Sequence, residues 1–173
     1  IIKSVHKKTW DKNLGMYRFA PRDKRAMLYP NATMLIVYAR AYQLTKNPLY
    51  KKRIYMIYKG IQKLKDQTGD HYHSPYSAEE MGAQDEDYTT LSSQNYLMMG
   101  MLISYQVTKD KIFLNEIDLM LGFIRKNLFE NGQLTHHWVN GRGATYEDPY
   151  FYCLGCNFQT LYIISMIEEM VSK

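Results

Sequence analysis

The sequence predicts an all-α fold of repeated helical hairpins, about two and a half of them, and three observations carry that prediction. The first is a stretch stated twice. Tyr42-Gln43-Leu44-Thr45-Lys46-Asn47-Pro48-Leu49-Tyr50 returns 63 residues later as Tyr105-Gln106-Val107-Thr108-Lys109-Asp110-Lys111-Ile112-Phe113. The second is that this offset also pairs Ile54 with Ile117, Ile57 with Met120, Ile61 with Ile124, Gly69 with Gly132, His73 with His136 and Asp85 with Asp148. It then carries Asn31 to Gln94 and Asn157. The third is that each copy is a short polar turn between two segments with helical apolar spacing. The repeated unit is therefore helix, tight turn, helix and long loop.

In order, residues 1–8 read as a helix tail. The chain starts Ile-Ile-Lys with no signal peptide, so a mature form, a proteolytic product or a piece of a longer chain is expected. Trp10 to Pro30 is a first long loop, with a turn at Asn13 and Gly15 and a short extended piece over Met16–Phe19. Asn31 reads as the N-cap of an inner helix ending at Thr45. The next helix, about Leu49 to Lys65, carries Tyr50, Ile54, Ile57, Ile61 and Leu64 on one stripe and Lys and Arg opposite, an outer helix with a wet face. A loop over about Gln67 to Leu91 follows. Ser92–Tyr105 is apolar nearly all round and reads as buried, and Lys111–Leu128 is amphipathic. A third loop, about Glu130 to Gly155, leads to a final apolar helix from Cys156 to about Val171. The tight turns fall at one end of the hairpins and the three long loops at the other. Loops of that length are usually functional, and the partly positive N-termini of the inner helices point at them.

Composition narrows the function. With 46% hydrophobic and 23% charged residues in 173, the chain is a folded single domain with a real core. The net charge of +5 comes from residues scattered on helix surfaces, such as Lys51, Lys52, Arg53 and Lys59, with no basic stripe interleaved with aromatics. No nucleic-acid partner is expected. No segment approaches the roughly 18 apolar residues of a membrane span.

Two segments carry a family likeness. Pro30-Asn31-Ala32-Thr33-Met34-Leu35 through Thr45, and Asp87-Tyr88-Thr89-Thr90-Leu91-Ser92-Ser93-Gln94 through Asp110, each place an Asn- or Gln-led inner helix before a Tyr-x-x-Thr-Lys turn. This resembles the six-hairpin glycosidase-like (α/α) toroids, which include glycoside hydrolases, N-acylglucosamine 2-epimerase relatives and the helical region of thioredoxin-domain proteins. The resemblance implies part of an (α/α) toroid, with residues 1–173 a single helical-hairpin repeat domain and the C-terminal part of a larger ring. A full ring needs six hairpins. The missing half-ring is expected from a parent chain or a second copy, because half a ring leaves apolar inner-helix flanks uncovered.

The same likeness implies a carbohydrate-active domain, hydrolase or sugar epimerase, with a saccharide or other small polar ligand in a cleft on the long-loop face. The alternative is a non-enzymatic helical scaffold that binds a glycan, peptide or partner domain. Glycoside hydrolysis needs two carboxylates across the bond. Asp85 and Asp87, in the cluster Asp85-Glu86-Asp87, and Asp148 are the acid/base candidates, although each also fits a solvated charge near a helix N-terminus. Tyr72, His73, His136, Trp138 and Arg142 are the substrate-binding candidates. Histidine suits proton transfer, an aromatic can stack on a sugar face, and Arg142 can clamp an acid. As ordinary loop residues none of them requires a function. Cys153-Leu154-Gly155-Cys156 admits three readings: a redox dithiol, a zinc site with His136 and His137, or two packed cysteines. No cofactor and no metal is expected.

Overall fold

The repeated stretch folds the same way twice. The structure, a computed structural model, describes residues 2–23, 25–74, 88–130, 132–139, 142–144 and 154–171. Its inner helices are α2 (Leu28–Thr45), α4 (Leu91–Thr108) and α6 (Leu154–Val171), each 18 residues long. The outer helices are α3 (Pro48–Ile61) and α5 (Ile112–Asn127), and a short α1 (Ile2–Thr9) precedes them. At the two tight turns Lys46 and Lys109 are left-handed, at φ 55° and 61°. Their N–H groups close on the Tyr42 and Tyr105 carbonyls. The Thr45 and Thr108 hydroxyls donate back to Ala41 and Ser104. Asn47 and Asp110 then accept from the N–H groups of Leu49 and Ile112, where the outer helices begin. A left-handed residue ends one helix and a side-chain oxygen starts the next, so Thr-Lys-Asn and Thr-Lys-Asp serve equally.

One expectation fails at the entry to α2. The helix begins at Leu28, and Met27 is its N-cap, without a side-chain cap bond. Pro30 fits because the first turn has no helical use for the missing N–H. Asn31 is thus inside the helix, fully buried, and its amide is free to act elsewhere.

The inner helices pack side by side and each outer helix packs on its own inner partner. A β-carbon on Gly100 would stand 3.1 Å from Ala32 O and 3.2 Å from Leu35 Cδ2, so glycine sets the close approach of α4 to α2. Ile54, Ile57 and Ile61 of α3, and Phe113, Ile117, Met120 and Ile124 of α5, are buried against the inner layer. Each such side chain contributes roughly 1.5–3 kcal/mol of burial. No described helix is long and apolar enough to cross a membrane.

The long loops are less irregular than expected. Each begins as a short antiparallel hairpin. The pairs are Trp10↔Tyr17 between β1 (Trp10–Asp11) and β2 (Met16–Tyr17), an isolated Lys65↔Tyr72 bridge after α3, and Phe129↔Leu134 between β4 (Phe129–Glu130) and β5 (Gln133–Leu134). Gly15, Gly69 and Gly132 turn them at φ 69°, 79° and 80°, a region side chains avoid. A three-stranded sheet then joins loops two and three, β3 (Tyr88–Thr90) pairing with β6 (His137–Val139) and β6 with β7 (Arg142–Ala144).

Candidate functional site

The three repeat-related amides found in the sequence attach the loop face to the inner helices. Asn31 accepts from Tyr17 N–H and donates to the carbonyls of Tyr17 and Met27. Asn157 clasps Leu134 in the same way, accepting its N–H and donating to its carbonyl. Gln94 donates to Tyr72 O and Thr89 Oγ1. Each amide thus holds the returning strand of the hairpin that precedes its helix. A buried backbone group left unpaired would cost about 1–3 kcal/mol, which explains a polar residue in an apolar helix.

Around β3 the two later loops meet. Ser74 N–H donates to Tyr88 O and Leu91 N–H to His136 O. Trp138 lies opposite Thr89 in the ladder and meets Phe123 edge to face, with ring centroids 5.4 Å apart. Three polar atoms attached to this strand, Ser74 Oγ, Gln94 Oε1 and Trp138 Nε1, are buried with no hydrogen-bond partner among the described residues. Buried polar atoms rarely stay unpaired. Burial lowers the pKa of His136. Burial thus favours its neutral imidazole.

The expected residues fare differently. Asp85, Asp87 and Asp148 lie outside the described residues, as does Cys153. His73 and Trp138 reach the same neighbourhood through His71, which stacks on Phe123 with centroids 4.1 Å apart. The backbone of Arg142 is fixed opposite Val139 in β7. Tyr72 requires correction. It is fully buried, and its hydroxyl donates to Glu116 Oε2 at 2.6 Å and accepts from Gln62, so neither ring face meets solvent. Hydrophobic burial and the Glu116 carboxylate raise its pKa far above the ordinary phenol value. Tyr72 is a core residue. Cys156 is disulfide-bonded and buried, so it offers no thiolate to zinc, and its carbonyl accepts from Asn95 and Thr160.

Sequence reasoning missed Glu116. On α5 it accepts from Tyr58 at 3.1 Å, from Tyr72, and from Lys65 at 2.7 Å, a buried carboxylate held by two phenols and an ammonium. The set couples α3, α5 and the second hairpin. Nothing at position 116 of an amphipathic helix signals it. The amides were detectable by their period. Among the described residues, a cavity of about 480 Å³ opens beside α5 and Asp70, and one of about 300 Å³ between α3 and the first hairpin.

Inner apolar helices, two of them turned tightly into an outer helix and looped back at one face, give the fold of part of an (α/α) toroid. Among solved structures, the chain is similar to the cellobiose 2-epimerase of Bacillus thermoamylovorans B4167 (TM-score 0.78, 13% identity), covering 95% of this chain and 47% of that one. It is similar also to the GH76 α-mannanase of Bacteroides thetaiotaomicron (TM-score 0.74, 13% identity; 99% and 46%). A sugar epimerase from a ruminal bacterium matches at TM-score 0.76 and 12% identity, over 98% and 48%. The chain spans about half the length of these structures, and at this identity the likeness is one of fold. No family model and no curated protein sequence matches the chain.

Proposed function

We propose that the chain contributes half of a carbohydrate-active enzyme, a glycoside hydrolase or a sugar epimerase, with its cleft on the long-loop face. The observation that carries the reading is the strand β3. Beside the N-terminus of α4 it gathers His136 and three buried polar atoms that have no partner among the described residues. It does so on a fold shared with an epimerase and a mannanase. A polyhydroxylated ligand supplies the hydrogen bonds those atoms lack.

Two chemistries fit the residues. For hydrolysis, Asp85 or Asp87 and Asp148, from successive loops, act as the acid and base across the glycosidic bond. For epimerisation, His136 takes a proton from the carbon beside a carbonyl, and a second group returns one to the opposite face. Trp138 stacks on the sugar, and His73 and Arg142 hold its polar edge. The other half of the ring completes the cleft.

The test is turnover of a panel of mannosides, glucosides and reducing disaccharides by the full-length protein. Loss of about a hundredfold or more in kcat for Asp148→Asn supports the hydrolase, and the same loss for His136→Gln supports the epimerase. Tight glycan or protein binding with no turnover, indifferent to Asp85→Asn and Asp148→Asn, would replace this reading with a helical binding scaffold.

A further inference from the structure

The hairpin after α3 carries more chemistry than its turn needs. All three hairpins turn on a left-handed glycine. In the first, Asp11 completes the turn by accepting from Asn13 and Leu14 N–H and pairing with Arg18. In the second, Asp66 Oδ2 does the same work for the Thr68 N–H and hydroxyl. The second hairpin then adds Asp70, His71 and His73. His71 Nδ1 lies 2.9 Å from Asp70 Oδ1 and 4.0 Å from Asp66 Oδ2, and His73 Nε2 lies 3.6 Å from Asp66 Oδ1. One ligand atom each from Asp66, His71 and His73 falls within 4.8 Å of the others.

We propose that Asp66, His71 and His73 bind a divalent first-row transition-metal ion, zinc by ligand type. Two imidazoles and a carboxylate form a borderline-soft donor set suited to such ions. Bonds of about 2.0–2.2 Å place ligand atoms roughly 3–4 Å apart, close to the spacing already present. The supporting shell is built. Thr68 Oγ1 lies within hydrogen-bond distance of both Asp66 and Asp70 and donates its one proton to either, and Phe123 lies flat on the buried His71 ring and sets its plane. Such outer contacts orient ligands and raise affinity. Three protein ligands leave a coordination position for water. The site stands on geometry apart from the sugar reading, except that it moves His73 from the sugar's polar edge to the ion.

The experiment is calorimetric titration of the chelator-treated chain with Zn²⁺ alone, repeated with Co²⁺ to read visible absorption. One ion per chain is expected, weakened by more than about tenfold in Asp66→Asn and in His73→Gln. Zn²⁺ raises the Tm of the native chain and leaves that of His73→Gln unmoved. His73 is only half-buried, so this variant stays folded, as circular dichroism will check, whereas His71→Ala would also lose the Phe123 stack. A folded native chain that takes no zinc overturns the site. So does an affinity that neither substitution changes.

Discussion

The inner helices α4 and α6 are the same element at successive turns of the repeat, and they meet opposite surroundings. On α4, Leu91, Asn95 and Met98 are fully buried. Sixty-three residues on, Leu154, Phe158 and Leu161 of α6 are 68%, 62% and 59% exposed, with Tyr162 beside them. The face of α4 is covered by α6 itself, through Asn95 donating to Cys156 O and Thr160 donating to Asn95 Oδ1. The corresponding face of α2, at Leu28, Ala32 and Leu35, is covered by α4. The equivalent face of α6 has no inner helix against it among the described residues, and the chain covers about half of the solved structures it is similar to. The apolar pattern thus marks which face will be buried. It does not name the neighbour that buries it.

The largest test of that comparison is a pair of truncations at equivalent sites. Met98→Ala is expected to cost about 2–5 kcal/mol in urea unfolding, because it leaves a cavity in a packed layer. Leu161→Ala is expected to stay within about 0.5 kcal/mol on this chain. An equal cost at both sites would mean that the α6 face is covered in solution.

Glycine gives a smaller and two-signed effect. Gly100→Ala drives a β-carbon against Ala32 O and the Leu35 side chain. A loss of about 1–3 kcal/mol is expected, as for other overpacked sites. On α5, Gly122 has nothing within 4 Å of the added carbon. There the same change should stabilise by about 0.5–1 kcal/mol, since alanine restricts the unfolded chain and favours helix. Thermal melts of the two variants should move in opposite directions.

The smallest effect concerns the loop that joins the two units. Burial puts the folded-state pKa of His136 below the ordinary 6.5. Between those values the unfolded chain binds a proton that the folded chain does not, so stability rises with pH there. This contribution is complete above about pH 6.5 and is lost as the pH falls through the lowered folded value. A flatter stability profile between pH 7 and 5 in His136→Gln is the expected result.

Legibility followed the range of the interactions. The tight turns were readable because their bonds close within four residues: a left-handed Lys, a back-bonded Thr and a side-chain cap. The amides at 31, 94 and 157 were visible as a period, but Asn31 looked like a cap because its true partner, Tyr17, is fourteen residues back. Tyr72 looked like a sugar platform because the residue that buries its hydroxyl, Glu116, stands 44 positions away. The sheet that brings Trp138 opposite Thr89 left no local trace, since strands of three residues lack a pattern of their own.

The sequence by itself determined the repeat, the division into inner and outer helices, the turn chemistry and the end of the molecule at which the loops collect. All of these rest on contacts a few residues long or on apolar spacing along one helix. Only the tertiary structure decided that Tyr72 belongs to the core and that Glu116 is a buried carboxylate. It also decided that Asp66, His71 and His73 face one another. The reason is physical: a side chain's solvation and charge depend on what other segments bring to it, and that is settled when helices dock.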